Sequence, residues 1–507
     1  MTTPHYLPPD RRWRLRQLLT SAGIEVNPPP PDVSVTGITD DSRRVAEGSV
    51  FVAVRGDRHD GHEFVAAAQR AGAAVIVVDD KTQTSPGFVR VRDTRATLAR
   101  LAATYYGVGR GAPAPLPLVG ITGTNGKSTV AWMVRSIFRH AGRRAALMGT
   151  IEYDLVDQRV KAALTTPGAL ELCRNLAAAR RAGAEWGILE VSSHALEQRR
   201  CDGLWFCAGV FTNLSGDHLD YHADMDAYFS AKKRLFSLLA SDDRAIVNID
   251  DPRGQVLIED IGCGARSFGL DASGADVSGA IRSMTRTGSV VSVRAMTFEA
   301  DVRLALIGRH NVQNALAAVA ASEATGITGD AIREGLESLD GVPGRLQRVE
   351  PAGHPFGVVV DYAHTDAALE NVLNALRPLT TGRLICVFGC GGDRDRTKRP
   401  RMAAAAGRLA DLAVVTSDNP RTEDAMAIIR EILPGFGPDA TGRTEVEPDR
   451  RKAIELAITR AEPGDCVLIA GKGHEDYQLV GREVLHFDDV EVARACLGGI
   501  GVKERVA

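Results

Sequence analysis

Apolar residues come along this chain in short unbroken runs, each of which ends in a polar stretch. "AAVIVVD", "LPLVGIT", "WGILEV", "AGVFTNL", "RAIVNI", "FGVVVDYAH", "RLICVFGCGGDRD", "LAVVTSDNPR" and "CVLIAGKGHED" are the clearest of them. Runs without polar alternation predict strands covered on both faces, as in parallel sheets. Between them the spacing turns helical. From Ser128 the apolar residues Val130, Met133, Val134, Ile137 and Phe138 fall at i, i+3, i+4, i+7 and i+8, one face of a helix. "HEFVAAAQRAG" predicts a second helix, between the strand-like "GSVFVAVRG" and "AAVIVVD". Alternating strands and helices make this an α/β protein. Pro- and Gly-rich "GRGAPAPLP" reads as a linker, and "LDGVPGRLQRV" breaks the pattern again. Three domains are therefore expected, over residues 1–112, 113–343 and 344–507.

Composition narrows the partners. The chain has 507 residues, 44% apolar and 25% charged, with a formal charge of −3. These are globular values, with no basic footprint for nucleic acid. No stretch suits a signal peptide or a bilayer span, so the expected location is the cytoplasm. The eight cysteines (173, 201, 207, 263, 386, 390, 466 and 496) form no CxxC pair and no zinc spacing, and are expected as reduced thiols.

The chemistry gathers where the buried runs end, which in open parallel sheets is where ligands bind. In "GITGTNGKST" the spacing is one residue longer than in the common phosphate-binding loop, with five residues between Gly120 and Gly126. The backbone of Gly123, Thr124, Asn125 and Gly126 can approach phosphates, Lys127 adds a point charge, and Ser128 or Thr129 can hold Mg²⁺. A glycine-rich turn capping a helix is the plainer alternative, but strand, loop and helix follow in the order phosphate binding requires.

The longer loop resembles that of the Mur ligase and folylpolyglutamate synthetase superfamily. "TDDSRR", "LTTP", "EVSSHALEQRR", "TNLSGDHLDYH", "YFSAKKRLF", "GRHNVQNALAA", "VVVDYAHTDAALE", "FGCGGDRDRTKRP", "SDNPRTED" and "AGKGHEDYQ" follow in family order over nearly the whole chain. Together they resemble the diaminopimelate-adding branch of the Mur ligases. The resemblance implies a small N-terminal α/β domain that binds UDP, a central P-loop ATPase domain with a mostly parallel sheet, and a C-terminal Rossmann-like domain for the incoming amino acid. It implies an ATP-dependent amide ligase that adds meso-2,6-diaminopimelate to the D-glutamyl residue of UDP-N-acetylmuramoyl-L-alanyl-D-glutamate, through an acyl phosphate. ATP and Mg²⁺ would be its cofactors, small molecules its partners, and a monomer its state.

Residue by residue, the resemblance makes Glu190 and His218 magnesium ligands together with Ser128. Lys232 would be a carbamylated lysine (N6-carboxylysine) that shares the metal. Two adjacent lysines otherwise read as a solvated face, and His218 alone as an ordinary loop histidine. Lys127, Lys232, Glu190, His218 and His364 would form the catalytic set; His364 and Glu475 are both candidates for the base that deprotonates the amine. Ser42 would lie at the UDP end, and Thr165, Thr166, Ser192, Gln198 and Arg200 at the muramoyl-peptide end. Asn311, Arg345, Asp361, Asp393 and Lys398 would attend ATP, although Asn311 also reads as a helix cap and Lys398 as a solvated charge. Arg394, Asp418, Asn419, Pro420, Arg421, Gly471 and Glu475 would form the amino-acid pocket, with Arg421 gripping the carboxylate that diaminopimelate has and lysine lacks. The chain departs from the pattern at Asp366, Ala367 and Ala425, where prolines or aspartate are common. The rival readings are the same ligation with lysine, a folylpolyglutamate synthetase, and a regulatory P-loop ATPase.

Overall fold

The computed structural model describes residues 13–504, apart from 28, 57–58, 83–86, 113–114, 219–220, 240–243, 263, 352–353 and 438–441. Cys263 and part of the expected linker at 113–114 thus lie outside the described residues. The architecture is α/β, as the buried runs predict. The described chain forms two compact units: the first runs to Ser278 and includes Ala295–Phe298 and Leu316–Gly335, and the second holds Gly279–Arg294, Glu299–Ala315 and everything from Leu336 on.

Besides a short antiparallel pair, Trp13–Arg14 with Ser34–Val35, the first unit contains two larger sheets. The smaller is all parallel, in the order Gly37–Thr39, Ser49–Val52, Val75–Asp79, Phe88–Val91. Side chains alternate across it, so Val50, Val52, Val75 and Val77 join Leu18, Leu98 and Leu101 on one face. Phe51, Ala53, Ile76 and Val78 meet Ala68 on the other. The helix expected from "HEFVAAAQRAG" is broken: a 3-10 turn, Gly61–Phe64, precedes a short α-helix, Val65–Arg70. Asp60 explains the break, because its carboxylate accepts from the His62 N–H and starts the turn early.

In the larger sheet five parallel pairings join Ala145–Met148, Trp186–Glu190, Leu118–Thr122, Phe206–Phe211, Ala245–Asn248 and Arg266–Gly269 in that spatial order. An antiparallel pair, Glu152–Asp154 and Arg159–Lys161, extends the Ala145 edge. The chain leaves Leu118–Thr122 towards one side and later returns to its other side. That reversal makes the end of this strand a switch point, where a crevice opens for a ligand.

The second unit repeats the device. Its main sheet runs Gln347–Arg348, Gly357–Asp361, Cys466–Ala470, Leu384–Phe388, Leu412–Val415, Thr444–Val446, parallel except for the first pair. The last long strand in sequence is inserted between the first two, so four loops with chemistry-bearing residues open from neighbouring strand ends. Leu384, Cys386 and Phe388 pack on one face, Ile385 and Val387 on the other.

Beneath those loops Arg450 and Asp489 form a fully buried ion pair, with Nε donating to Oδ1 at 2.8 Å and Nη2 to Oδ2 at 2.7 Å. The guanidinium also donates to the carbonyls of Ser417 and Ala470, each just ahead of a pocket loop. Removing one partner strands a buried charge, so Asp489→Ala should lower the unfolding free energy by about 3 to 5 kcal/mol. Chemical denaturation of the variant beside the wild type checks this; a loss below about 1 kcal/mol would mean the cation is rehydrated or re-paired.

Of the seven described cysteines, six are buried, Cys496 is half-buried, and none is in a disulfide. Burial pushes the Cys201, Cys386, Cys390 and Cys466 thiols up to about 12, and Cys173 higher still. No helix among the described residues is long and apolar enough to cross a membrane.

Candidate functional site

The loop after Leu118–Thr122 turns into the helix Lys127–His140, which buries the five expected apolar residues. Gly123 and Gly126 take φ of 146° and 86°, values that favour glycine. A Cβ on Gly123 would also collide with the Thr212 hydroxyl. The loop is braced from the next strand end: Asn213 accepts from Thr124 N–H at 2.9 Å through its carbonyl and from Asn125 N–H at 3.0 Å through Oδ1. Lys127 Nζ donates to the carbonyls of Gly123 and Thr124 at 2.9 and 2.7 Å, so its charge stands over the loop.

Lys232 and Lys233 close the helix Met225–Lys233 and separate sharply. Lys233 pairs with Asp260 at 2.7 Å on the surface. Lys232 is 1% exposed; its Nζ donates to the Gly123 carbonyl at 2.8 Å and lies 4.3 Å from the centre of the Tyr228 ring. Burial, reinforced by the Lys127 charge, holds this amine well below the usual lysine range. The neutral amine so favoured is the nucleophilic form.

Glu190 ends its strand fully buried, with Oε2 accepting from Ser128 Oγ and Thr150 Oγ1, and Oε1 from Thr150 N–H, all at 3.0 Å. Gly149 must be glycine here, since a Cβ would collide with that carboxylate. The expected peptide-end residues join the same network. Thr165 Oγ1 lies 3.1 Å from Thr150 Oγ1, Thr166 Oγ1 donates to the Glu190 carbonyl at 2.8 Å, and Ser192 N–H donates to Thr166 Oγ1. Arg200 donates to the Thr166 carbonyl and, through Nε and Nη2, to Gln198 Oε1. Thr150 had escaped the sequence reading because a threonine in a short polar loop carries no signal of its own.

His218 has a φ of 55° and lies 3.6 Å from Asp217. Its ring stands edge-on to His194 and Tyr228, and Tyr228 in turn pairs its hydroxyl with Thr124 Oγ1 at 3.2 Å. Ser42 opens a 3-10 turn, Ser42–Arg44, after the strand Gly37–Thr39. Among the described residues no three His, Cys, Asp or Glu side chains converge as a metal cluster. The hydroxyl of Ser128 against the carboxylate of Glu190 is an all-oxygen pair, chemistry that suits a hard ion such as Mg²⁺.

In the second unit Asp361 is buried and accepts from Leu346 and Ala363 N–H at 2.7 and 2.8 Å, so both oxygens are engaged by backbone. Only the Ala363 bond lies in the loop of Asp361; the Leu346 bond ties that loop to the segment before it. Burial pushes this carboxyl up, with Arg345 opposing. Arg345 lies over the Tyr362 ring, 4.9 Å from its centre. His364 Nδ1 is 2.8 Å from the Tyr362 carbonyl, and Lys398 Nζ donates to the His364 carbonyl at 2.8 Å, which ties that lysine to the loop rather than leaving it solvated. Asn311 is no helix cap. It is the third residue of Arg309–Ala324, and its Nδ2 donates back to the Ile307 carbonyl at 2.8 Å. Both departures at helix starts are mild: Asp366 and Ala425 are each the first residue of a helix capped by the residue before, Thr365 and Asp424.

The "GGDRD" and "SDNPRTED" loops are zipped together. Asp393, at φ 53°, accepts from Thr422 Oγ1 at 2.7 Å, while its N–H donates to Glu423 Oε1 at 2.6 Å. Gly392 N–H donates to the Asn419 carbonyl, and a Cβ on Gly392 would collide with the Pro420 carbonyl. Arg421, also at φ 53°, donates from Nη1 to the Gly392 carbonyl at 2.8 Å. Arg394 is exposed and donates to the Asp393 carbonyl. A hairpin, Tyr477–Val480 with Glu483–His486, straps the loop: Leu479 accepts from Arg421 N–H, Gly481 N–H donates to the Arg421 carbonyl, and Gln478 Nε2 donates to the Asp418 carbonyl. Gly471, at φ 116°, lies against Asp418, leaving no room for a Cβ. Asn419 Nδ2 donates to Glu475 Oε2 at 2.8 Å. These contacts bring the loops of Asp418, Asn419, Pro420 and Arg421 against Gly471 and Glu475, and Lys472, which sequence reasoning had left without a role, joins them through Asn419 Oδ1.

Three family models match the chain: Mur ligase family, catalytic domain, over residues 34–106; Mur ligase middle domain over 121–322; and Mur ligase, glutamate ligase domain, over 344–473. The UDP-N-acetylmuramoyl-L-alanyl-D-glutamate--2,6-diaminopimelate ligase of Geobacter metallireducens is 46% identical over 496 residues, covering 93% of this chain and 96% of its own. The ligase of the same name from Gloeobacter violaceus is 45% identical, covering 96% and 98%. A solved structure of a ligase so named superposes with a TM-score of 0.71 at 32% identity, covering 97% of this chain and all of that one. At 21% identity the folylpolyglutamate synthase of Mycobacterium tuberculosis, with a TM-score of 0.61 and cover of 80% and 95%, shares the fold.

Proposed function

The chain belongs to the Mur ligase family, and on that footing we propose that it joins meso-2,6-diaminopimelate to the D-glutamyl carboxylate of UDP-N-acetylmuramoyl-L-alanyl-D-glutamate, using ATP. What supports this reading is a pair of loops at strand ends: Glu475 accepts from Asn419, two residues before Arg421, in a chain 46% identical to a ligase named for 2,6-diaminopimelate. A carboxylate and an ammonium at the far end of the amino acid have matching partners there.

In the reaction the glutamyl carboxylate oxygen attacks the γ-phosphorus of ATP, releasing ADP and leaving an acyl phosphate. The amine of diaminopimelate then attacks the acyl carbon, phosphate leaves with the bonding electrons, and the nitrogen loses a proton. The chain's part is positioning and charge neutralisation. The Gly123–Thr129 loop, opening on the helix N-terminus, and the Lys127 charge hold the phosphates. Arg200, Thr166 and Ser192 hold the peptide end, and Ser42 the uridine end. Glu190, Ser128, His218 and Lys232 as its carbamate would hold Mg²⁺, which supplies charge neutralisation at the transferred phosphoryl. The carbamate forms when the neutral Lys232 amine attacks the carbon of CO₂ and loses a proton. Substrates of this kind are cytoplasmic small molecules, and a monomer suffices to bind them.

Phosphate release with each substrate omitted in turn tests the reading. Release is expected only with ATP, the UDP-muramoyl dipeptide and diaminopimelate all present. Steady release from ATP alone would point instead to a P-loop switch, and release with a folate and glutamate to a folylpolyglutamate synthetase.

A further inference from the structure

Lys472 is a buried amine that the ligation chemistry does not use, its pKa pulled down by burial and held up by the neighbouring Asp418 carboxylate. It lies two residues beyond the strand Cys466–Ala470 and is 0% exposed. Burying an ammonium is costly unless it is paired and hydrogen-bonded, so its partners identify its work. Nζ donates to Asn419 Oδ1 at 3.0 Å, and lies 3.5 Å from Glu475 Oε2 and 3.8 Å from Asp418 Oδ1. The Leu479 N–H donates to the same Asn419 oxygen, also at 3.0 Å. A side-chain amide has one acceptor end and one donor end. With both donors on Oδ1, Asn419 must turn Nδ2 towards Glu475, whose Oε2 accepts at 2.8 Å. The amide and the ammonium thus share Oε2, which leaves Oε1 to accept from an incoming group.

We infer that Lys472 is a positioning residue of the amino-acid pocket: its ammonium fixes the facing of the Asn419 amide and holds Glu475 where it can receive the distal ammonium of the added amino acid. The inference rests on the reading that this pocket takes diaminopimelate. Burial pushes the Glu475 carboxyl up, with Asp418 adding to it, and Lys472 is the first of the groups that oppose the rise. Without the lysine, the carboxylates of Glu475 and Asp418 would keep near them only the charge of Arg450, which is itself paired with Asp489, and the amide would lose one of the two donors that orient it.

The test is a set of steady-state measurements on the full chain: wild type, Lys472→Met, Asn419→Ala and the double variant, each with KM for diaminopimelate, ATP and the UDP-muramoyl dipeptide. Lys472→Met, similar in volume, should raise KM for diaminopimelate on the order of thirtyfold, the worth of a charge-assisted hydrogen bond. The other two KM values should stay within about threefold. Because the lysine and the asparagine meet each other and hold the same Glu475 oxygen, the double variant should be no more than about threefold worse than the worse single one. Lys472→Gln, whose amide can still donate to Asn419, should fall between wild type and Lys472→Met. If Lys472→Met fails to fold by circular dichroism, the glutamine variant carries the test, with a selective rise of about fivefold required. Parallel rises in all three KM values, an unchanged KM for diaminopimelate, or additive effects in the double variant overturn the inference. A wild type that does not turn over diaminopimelate overturns the pocket reading instead.

Discussion

Lys232→Ala should lose at least about a hundredfold in ligase activity, the scale on which removing one preorganised charge at a reacting centre is felt. Added short carboxylic acids should return part of that loss by standing where the carbamate stood. Lys233→Ala should stay within about twofold, since an exposed ion pair with Asp260 contributes little. The contrast follows from helix geometry. Consecutive residues lie about 100° apart, so one lysine reaches the Gly123 carbonyl while its neighbour faces solvent. Burial beside Lys127 then favours the neutral form of the Lys232 amine, the form that the proposed carbamate needs. Comparable losses at both positions would remove the assignment, and so would a Lys232→Ala enzyme of near-normal activity.

Arg421→Ala should abolish most of the preference for diaminopimelate over lysine while sparing the KM for ATP. The wild type is expected to favour diaminopimelate by roughly ten- to a hundredfold or more, because a guanidinium bound to one extra carboxylate contributes about 1.5 to 3 kcal/mol. Arg421 is oriented by the Gly392 carbonyl and held at φ 53° by its backbone bonds to Leu479 and Gly481. Alanine keeps that backbone strained, so Arg421→Gly is the companion variant: it should lose selectivity equally without the conformational penalty. A wild type that uses lysine and diaminopimelate with similar kcat/KM would refute the substrate proposal and favour the lysine-adding alternative.

The elements most legible in the sequence were those written in local pattern. Buried parallel strands show as unbroken apolar runs because both faces are covered, and Leu118–Thr122 with its loop and helix could be traced almost to the residue. Strand order was invisible. Nothing near Cys466–Ala470 says that it inserts between Gly357–Asp361 and Leu384–Phe388, since that is decided by long-range pairing. The Asp60 turn within the expected helix was missed because a side-chain cap competes with apolar periodicity and wins locally. Asn311 looked like a cap because Asn near a helix start usually is one; only the bond to Ile307 reveals that it donates. Lys472 stood in plain view inside "AGKGHED", yet a lysine among glycines reads as solvated until its burial is known.

The thiols give the molecule a chemical readout of its own opening. Cys173, Cys201 and Cys207 lie in the first unit, and Cys386, Cys390 and Cys466 in the second, all buried. A thiol raised to about 12 is almost wholly protonated at neutral pH and shielded from reagents as well, so alkylation must wait for the surrounding structure to part. Modification rates resolved by peptide mass therefore count opening events in each unit separately, with no engineered probe introduced. A ligand that slows Cys386, Cys390 and Cys466 but not Cys173 or Cys201 has tightened the second unit alone.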